Sequence, residues 1–234
     1  MKTIGLIGGM SWESSTEYYR IVNQEVKRRL GGLHSAKVIV YSVDFAEIQG
    51  YQVRGEWNLA GEVLANAAYS LQAAGADLIV ICTNTMHKVC DVIEDKVNIP
   101  LLHIADATAK QIKYSRLNKV GLLGTKYTME QDFYTSRLQL NGIETVVPKL
   151  KERDRINQII FEELCLGQIK DSSREYFIEV IRSLVDEGAE GIILGCTEIG
   201  LLVKHQHVDI PLFDTAEIHA IEAVNHAFET KQGM

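Results

Sequence analysis

Three prolines in 234 residues, and no apolar run approaching the length of a membrane span, set the first limits on this chain. The apolar N-terminal stretch IGLIGGM is too short for a secretory h-region and is soon followed by Glu13, so no export signal is expected. The cysteines number four, Cys82, Cys90, Cys165 and Cys196, and none stands in C-x-x-C spacing. That pattern argues against a disulfide frame and fits free thiols in a reducing cytoplasm. Positive charge is also short: 24 Lys and Arg against 31 Asp and Glu leave a net charge of −7, which argues against nucleic-acid or anionic-membrane partners. The densest basic group, Lys27-Arg28-Arg29, precedes Gly31-Gly32 and reads as a solvated helix C-terminus. Residues 5–9 lack G-x-G-x-x-G spacing and no G-x-x-x-x-G-K-[ST] occurs, so nucleotide phosphates have no evident cradle.

What the chain does have is a sentence written twice. Residues 75–87 read GADLIVICTNTMH and residues 188–199 read GAEGIILGCTEI, about half the chain apart. Each copy is a Gly-Ala-acid turn, an apolar run of buried-strand length, and a small polar triplet where the strand must end. Aligned without a gap, Gly75 falls on Gly188, Cys82 on Gly195 and Thr83 on Cys196. A second echo pairs residues 2–9, KTIGLIGG, with residues 119–125, KVGLLGT, and Tyr18-Tyr19 with Phe133-Tyr134 in the helix that follows. At 46% hydrophobic residues the length suffices for two cores.

In order, the pattern gives a strand at 3–8, a helix from Ser11–Ser15 to about Leu30, and a strand at 37–43 ending before Asp44. A helix at 57–74 follows, with Leu59, Val63, Leu64, Ala67 and Leu71 on one face and Gly75 as its stop; then come the strand to Cys82, a short helix from about Met86 and a strand at 100–104. The second half restarts at Lys119 and continues with a strand at 142–147, helices at 153–166 and 173–186, the second strand-end triplet, a strand at 210–213 and a last helix from Thr215 that returns to the first lobe. Strands alternating with helices predict an α/β protein of two similar lobes, each a parallel sheet flanked by helices, related by a pseudo-two-fold with the active site between them. The expected lobes are residues 1–105 plus 213–234, and residues 106–212.

In open α/β sheets, ligands bind outside the carboxyl ends of the strands, where the next helix presents unpaired N–H groups. A cysteine so placed is expected to shift toward thiolate, and an anionic group to be welcomed. Two such positions, Thr83 and Cys196, would make a two-sided site. The pair His205 and His207 reads as a solvated loop rather than a metal site, and His34 and His103 read as lone structural histidines.

Taken together, Gly8-Gly9-Met10, Thr83-Asn84-Thr85 followed by His87, Gly124-Thr125 with Thr128, Gly195-Cys196-Thr197-Glu198 and Asp214 with His219 resemble the aspartate/glutamate racemase family over the whole chain. The runs SWES from Ser11 and CTNTMHK from Cys82 are similar to its broad-specificity amino-acid racemase branch. The resemblance implies an isomerase that needs no pyridoxal phosphate, metal or other cofactor and inverts Cα of a free amino acid. Two cysteines on opposite faces of the substrate normally do this. Carried onto this chain, the second is Cys196 and the first falls on Thr83, because Asn84-Thr85 and the internal repeat agree on that register.

An aliphatic hydroxyl is a far weaker acid than a thiol, so Cys196 is expected to be the base for one enantiomer while Thr83 relays or delivers a proton. The resemblance further implies that Met10, Asn84, Thr85, Thr125, Thr128 and Thr197 bind substrate, with His87 either behind them or ending a helix. Gln52 and Arg54 occupy the segment that meets the distal group, and Cys165 stands where a lysine is common. Loss of that lysine weakens the case for a desolvated second carboxylate, so broad specificity including homoserine is favoured over aspartate and glutamate alone. A homodimer follows from the family. A single-cysteine decarboxylase or isomerase of small dicarboxylates, or an inactive ligand sensor, are the other classes open.

Overall fold

The computed structural model describes residues 1–229. β1 (Ile4–Gly8) leads into α1 (Trp12–Leu30), then β2 (Val38–Ser42), α2 (Phe45–Arg54), α3 (Trp57–Ala73), β3 (Leu78–Ile81), a 3-10 turn at Thr85–Val89, α4 (Cys90–Glu94) and β4 (Leu101–Leu102). The pattern then repeats with α5 (Ile104–Tyr114), β5 (Lys119–Gly124), α6 (Lys126–Glu130), α7 (Asp132–Leu140), β6 (Glu144–Val146), α8 (Leu150–Glu162), α9 (Asp171–Asp186), β7 (Ile192–Gly195), α10 (Ile199–Leu202), β8 (Leu212–Asp214) and α11 (Thr215–Phe228).

The chain forms two four-stranded parallel sheets, ordered β2-β1-β3-β4 and β6-β5-β7-β8, so the duplication read from the motifs extends to topology. In each sheet the order reverses between the first and third strands, the switch point at which α/β proteins open a crevice. Both central strands are buried nearly throughout, as strands covered on two faces must be.

The chain divides into two compact units, Met1–His103 with His219–Met234, and Ile104–Ile218. Residues 213–218, expected with the first lobe, group with the second because β8 bonds to β7 along Ile192↔Leu212 to Leu194↔Asp214. In the first unit, Ile48, Leu64, Ala68, Leu71, Ile79, Ile81 and Met86 close one core under α3. Ile112, Leu122, Tyr134, Ile156, Phe177, Ile181 and Ile193 close the other. Each fully buried Leu or Ile contributes about 1.5–3 kcal/mol, offsetting the entropy of ordering the chain.

The local signals act as their chemistry requires. Ser11 caps α1 by accepting from the Ser14 N–H, and the Gly31 N–H closes its last turn on Lys27 O. Asp44 caps α2, a helix absent from the sequence reading. Likewise α5 begins where a strand at 100–104 was expected: only Leu101 and Leu102 pair with β3, and the chain turns helical at Ile104.

Candidate functional site

In each unit the polar triplet stands where the sheet ladder stops. β1 and β3 pair as far as Ile7↔Ile81, and the Cys82 N–H bonds Ile7 O at 2.9 Å. Beyond that rung lie Gly8-Gly9-Met10 on one strand and Thr83-Asn84-Thr85 on the other. Gly9 has φ +92°, and a Cβ there would collide with Val43 O, so the β1 turn admits no side chain at this point. Ser14 ties the turn to the neighbouring strand by donating to Cys82 O at 3.0 Å.

Cys82 is fully buried, and burial pushes its thiol far up, whereas Thr83 is only half-buried. The accessible group at this strand end is therefore a hydroxyl. Met10 belongs to the core of the unit, Asn84 and Thr85 are buried, and buried Gln52 approaches Met86 Sδ with its Nε2 at 3.1 Å. Arg54 takes another direction, pairing with Glu56 at 2.7 Å on the surface and lying over the Tyr51 ring.

In the second unit β5 and β7 pair to Gly124↔Gly195, so Thr125 and Cys196 are the next residues beyond one rung. Thr125 caps α6 by accepting from the Thr128 N–H, and the two hydroxyls lie 3.2 Å apart, both buried. Cys196 is 8% exposed, and its Sγ donates to Glu198 Oε2 at 2.9 Å. The Thr197 hydroxyl donates to the same oxygen at 2.8 Å. Glu198, quoted in the motif but given no role, is thus the group that Cys196 meets.

This corrects the expectation of a resting thiolate. Burial pushes the Cys196 thiol well above its ordinary value, followed by the charges of Glu198 and Cys165 and by the hydrogen bond to Glu198. The helix after it, α10, is a single turn of four residues, too short for a dipole that opposes desolvation. The resting group is therefore a thiol that donates to a carboxyl oxygen of Glu198.

His103 is corrected as well. It is buried, with its ring 4.6 Å from that of His87, and His87 lies 5.6 Å from His219. The Nδ1 of His87 meets Thr83 O at 2.8 Å. His219 stands between Leu102 O, 2.8 Å from its Nε2, and the Tyr18 hydroxyl, 2.9 Å from its Nδ1. Burial, then His219, lowers His87 to about 3 against the carbonyls of Thr83, Leu102 and Asn84; burial lowers His219 to about 4. His205 and His207 lie in a short turn after α10, and no group of three or more His, Cys, Asp or Glu among the described residues could hold a metal ion.

Two parallel sheets of the same order, with site residues just beyond the switch-point strands and a thiol donating to a carboxyl oxygen, define a duplicated α/β protein with groups placed for proton transfer. Residues 7–223 match the family model described as Asp/Glu/Hydantoin racemase, and the chain belongs to that family. It is 57% identical to a Yersinia pestis protein whose structure is provisionally named an Asp/Glu racemase, with a TM-score of 0.90 over 98% of this chain and 100% of that one. An aspartate racemase homologue from Pyrococcus horikoshii OT3 is 41% identical, with a TM-score of 0.84 over the same shares. The broad specificity amino-acid racemase RacX of Bacillus subtilis is 26% identical over 164 residues, 70% of each chain.

Proposed function

We propose that this protein is a cofactor-independent amino-acid racemase in which Cys196 and Thr83 serve opposite faces of one substrate. The observation that carries the reading is the 2.9 Å contact from Cys196 Sγ to Glu198 at the end of β7. Glu198 takes the thiol proton, the thiolate so formed takes the Cα proton of one enantiomer, and the carbanion receives a proton from the Thr83 hydroxyl on the other face. Because an alkoxide cannot persist, water replaces the Thr83 proton in the same event, and the hydroxide left behind takes the proton held by Glu198, so that carboxylate, thiol and hydroxyl are all restored. In the reverse direction each transfer runs backward, and the ratio of enantiomers at equilibrium is one.

Asn84, Thr85, Thr125, Thr128 and Thr197, with nearby backbone N–H groups, hold the α-carboxylate, and Met10 backs the substrate from the core of its unit. Buried Gln52 meets the distal group, whereas Arg54 is engaged by Glu56. That difference favours a broad substrate range, homoserine included, over a site built around a second carboxylate. The name of the Yersinia protein supports the acidic alternative. Four cysteines outside any disulfide fit the cytoplasm, and the acidic balance fits a small-molecule substrate rather than nucleic acid or membrane. Assembly as a homodimer completes the reading.

The test is Cα hydrogen–deuterium exchange by NMR in heavy water on separate L and D forms of aspartate, glutamate, homoserine and methionine, with Cys196→Ala beside the wild type. Exchange that Cys196→Ala abolishes supports the reading and gives the substrate order. With no exchange on any of the eight, release of carbon dioxide from malonate-type acids becomes the favoured reading.

A further inference from the structure

We infer that His87 is the positioning residue of Thr83, held in place by a buried cluster of aromatic and imidazole rings; the inference rests on the racemase reading of Thr83. A carbonyl oxygen only accepts, so in the 2.8 Å contact between His87 Nδ1 and Thr83 O the ring nitrogen is the donor, while the carbonyls of Leu102 and Asn84 also face the ring. The local backbone makes room for this bond. The turn is 3-10, and it directs the His87 N–H to Asn84 O at 3.1 Å, so the Thr83 carbonyl receives the ring of the same residue that would have supplied its backbone N–H in an α-helix.

The ring is then wedged from several elements. His103, just past β4, meets it at 4.6 Å between centroids, and His219 of α11 at 5.6 Å. His219 is itself fixed: Leu102 O accepts from Nε2, so Nδ1 is the acceptor of the Tyr18 hydroxyl from α1. Packed between these two buried rings, His87 keeps its Nδ1 on Thr83 O.

The consequence falls on the weaker half of the chemistry. A hydroxyl delivers a proton well only from the correct distance and angle, and a misplacement of 1 Å costs about a hundredfold. Holding the Thr83 carbonyl holds the peptide between Thr83 and Asn84, and with it the aim of the hydroxyl. A thiolate, softer and more basic than a hydroxyl, would need such bracing less.

The test reads a ratio. In heavy water, the enantiomer that Cys196 serves can exchange its Cα hydrogen with retention, when the Cys196 side removes the proton and returns deuterium, or with inversion, when Thr83 delivers it. The quotient of inversion to retention is independent of how much folded enzyme is present. We take aspartate, glutamate and homoserine as probes and compare the wild type with His87→Ala, His87→Asn, whose amide N–H overlays Nδ1, and His87→Gln, whose amide overlays Nε2. His87→Ala and His87→Gln should lower the quotient by about tenfold or more while retention exchange persists, and His87→Asn should restore it to within about threefold. An unchanged quotient in His87→Ala, with only the total rate lowered, overturns the inference and leaves a packing role. Should His87→Ala not fold, equal quotients for His87→Asn and His87→Gln overturn it instead. A wild type that exchanges none of the probes defeats the racemase reading itself, a result distinct from either.

Discussion

The Sγ of Cys196 and the Oε2 of Glu198 lie 2.9 Å apart at the end of β7, with the thiol as donor. The carboxylate has two opposed effects. Its charge raises the thiol, and on the proposed mechanism its oxygen accepts the proton that the thiol loses. Burial is the larger cause of the raised thiol, so removing the charge cannot by itself free a thiolate. Glu198→Gln should therefore lower turnover by about a hundredfold, the usual loss when a positioned proton acceptor is removed. At the same time the pH midpoint for alkylation of Cys196 by iodoacetamide should move down. Full turnover in Glu198→Gln would sink the role given to this carboxylate.

Gly195, the last paired residue of β7, immediately precedes the same thiol. A Cβ at this position would meet Leu122 Cδ1 and Leu123 O, each at 2.8 Å, where β5 and β7 run side by side. Backbone cannot move aside as a flexible side chain does. Gly195→Ala should cost roughly 1–3 kcal/mol, read as a lower midpoint in urea, and should displace Cys196 enough to depress turnover in the fraction that remains folded. A variant with wild-type stability would show that the strands can part here at no cost.

The duplication was legible because buried parallel strands are written as short apolar runs ended by small polar residues, and both copies keep Gly, Ala and an acid before the run. The helices α2 and α5 were not. The first lies in a stretch read only as a substrate-facing segment, and the second starts inside a presumed strand of which two residues pair. At the site, the residues at the strand ends could be named, but their partners could not. Glu198 faces Cys196 only because the chain turns after β7. His103 gains its neighbour His87 through the fold, since the two stand on either side of α4 and share no helical or strand spacing.

The neutral histidines tie stability to pH. An unfolded histidine titrates near 6.5, whereas His87 and His219 are lowered in the fold to about 3 and about 4. Below 6.5 the unfolded chain binds protons that the folded one refuses, so their contribution is fully present above pH 6.5 and is lost as pH falls toward 4. The slope is roughly 1 kcal/mol per pH unit for each ring. Glu25, lowered to about 2 mainly by its hydrogen bond to Arg28, acts in the same direction but below 4.5, whereas buried Asp214, raised by desolvation, acts in the opposite direction, so the net fall from 7.5 to 5 is a lower bound on the histidine contribution. Urea midpoints measured across that window should fall, and His219→Gln should remove about half of the slope. Midpoints that stay level from 7.5 to 5 would contradict the buried neutral cluster.

On the proposed reading, substrate range turns on two residues of α2 whose surroundings differ. The guanidinium of Arg54, 55% exposed, is bound to Glu56 at 2.7 Å, and an exposed pair of this kind contributes little to binding elsewhere. Gln52 is 5% exposed, and its amide rests on the Met86 thioether, a weak acceptor that a substrate carboxylate or hydroxyl would displace. A hydrogen bond to a charged group contributes about 1.5–3 kcal/mol, so Gln52→Ala should raise KM for aspartate and glutamate by roughly tenfold or more. The rise should be smaller for homoserine, whose distal hydroxyl is neutral. Arg54→Ala should leave all three within about twofold, since it removes only a surface pair. The opposite pattern, with Arg54→Ala raising KM tenfold for the acidic substrates alone, would make Arg54 leave Glu56 on binding and would favour an enzyme specific for acidic amino acids.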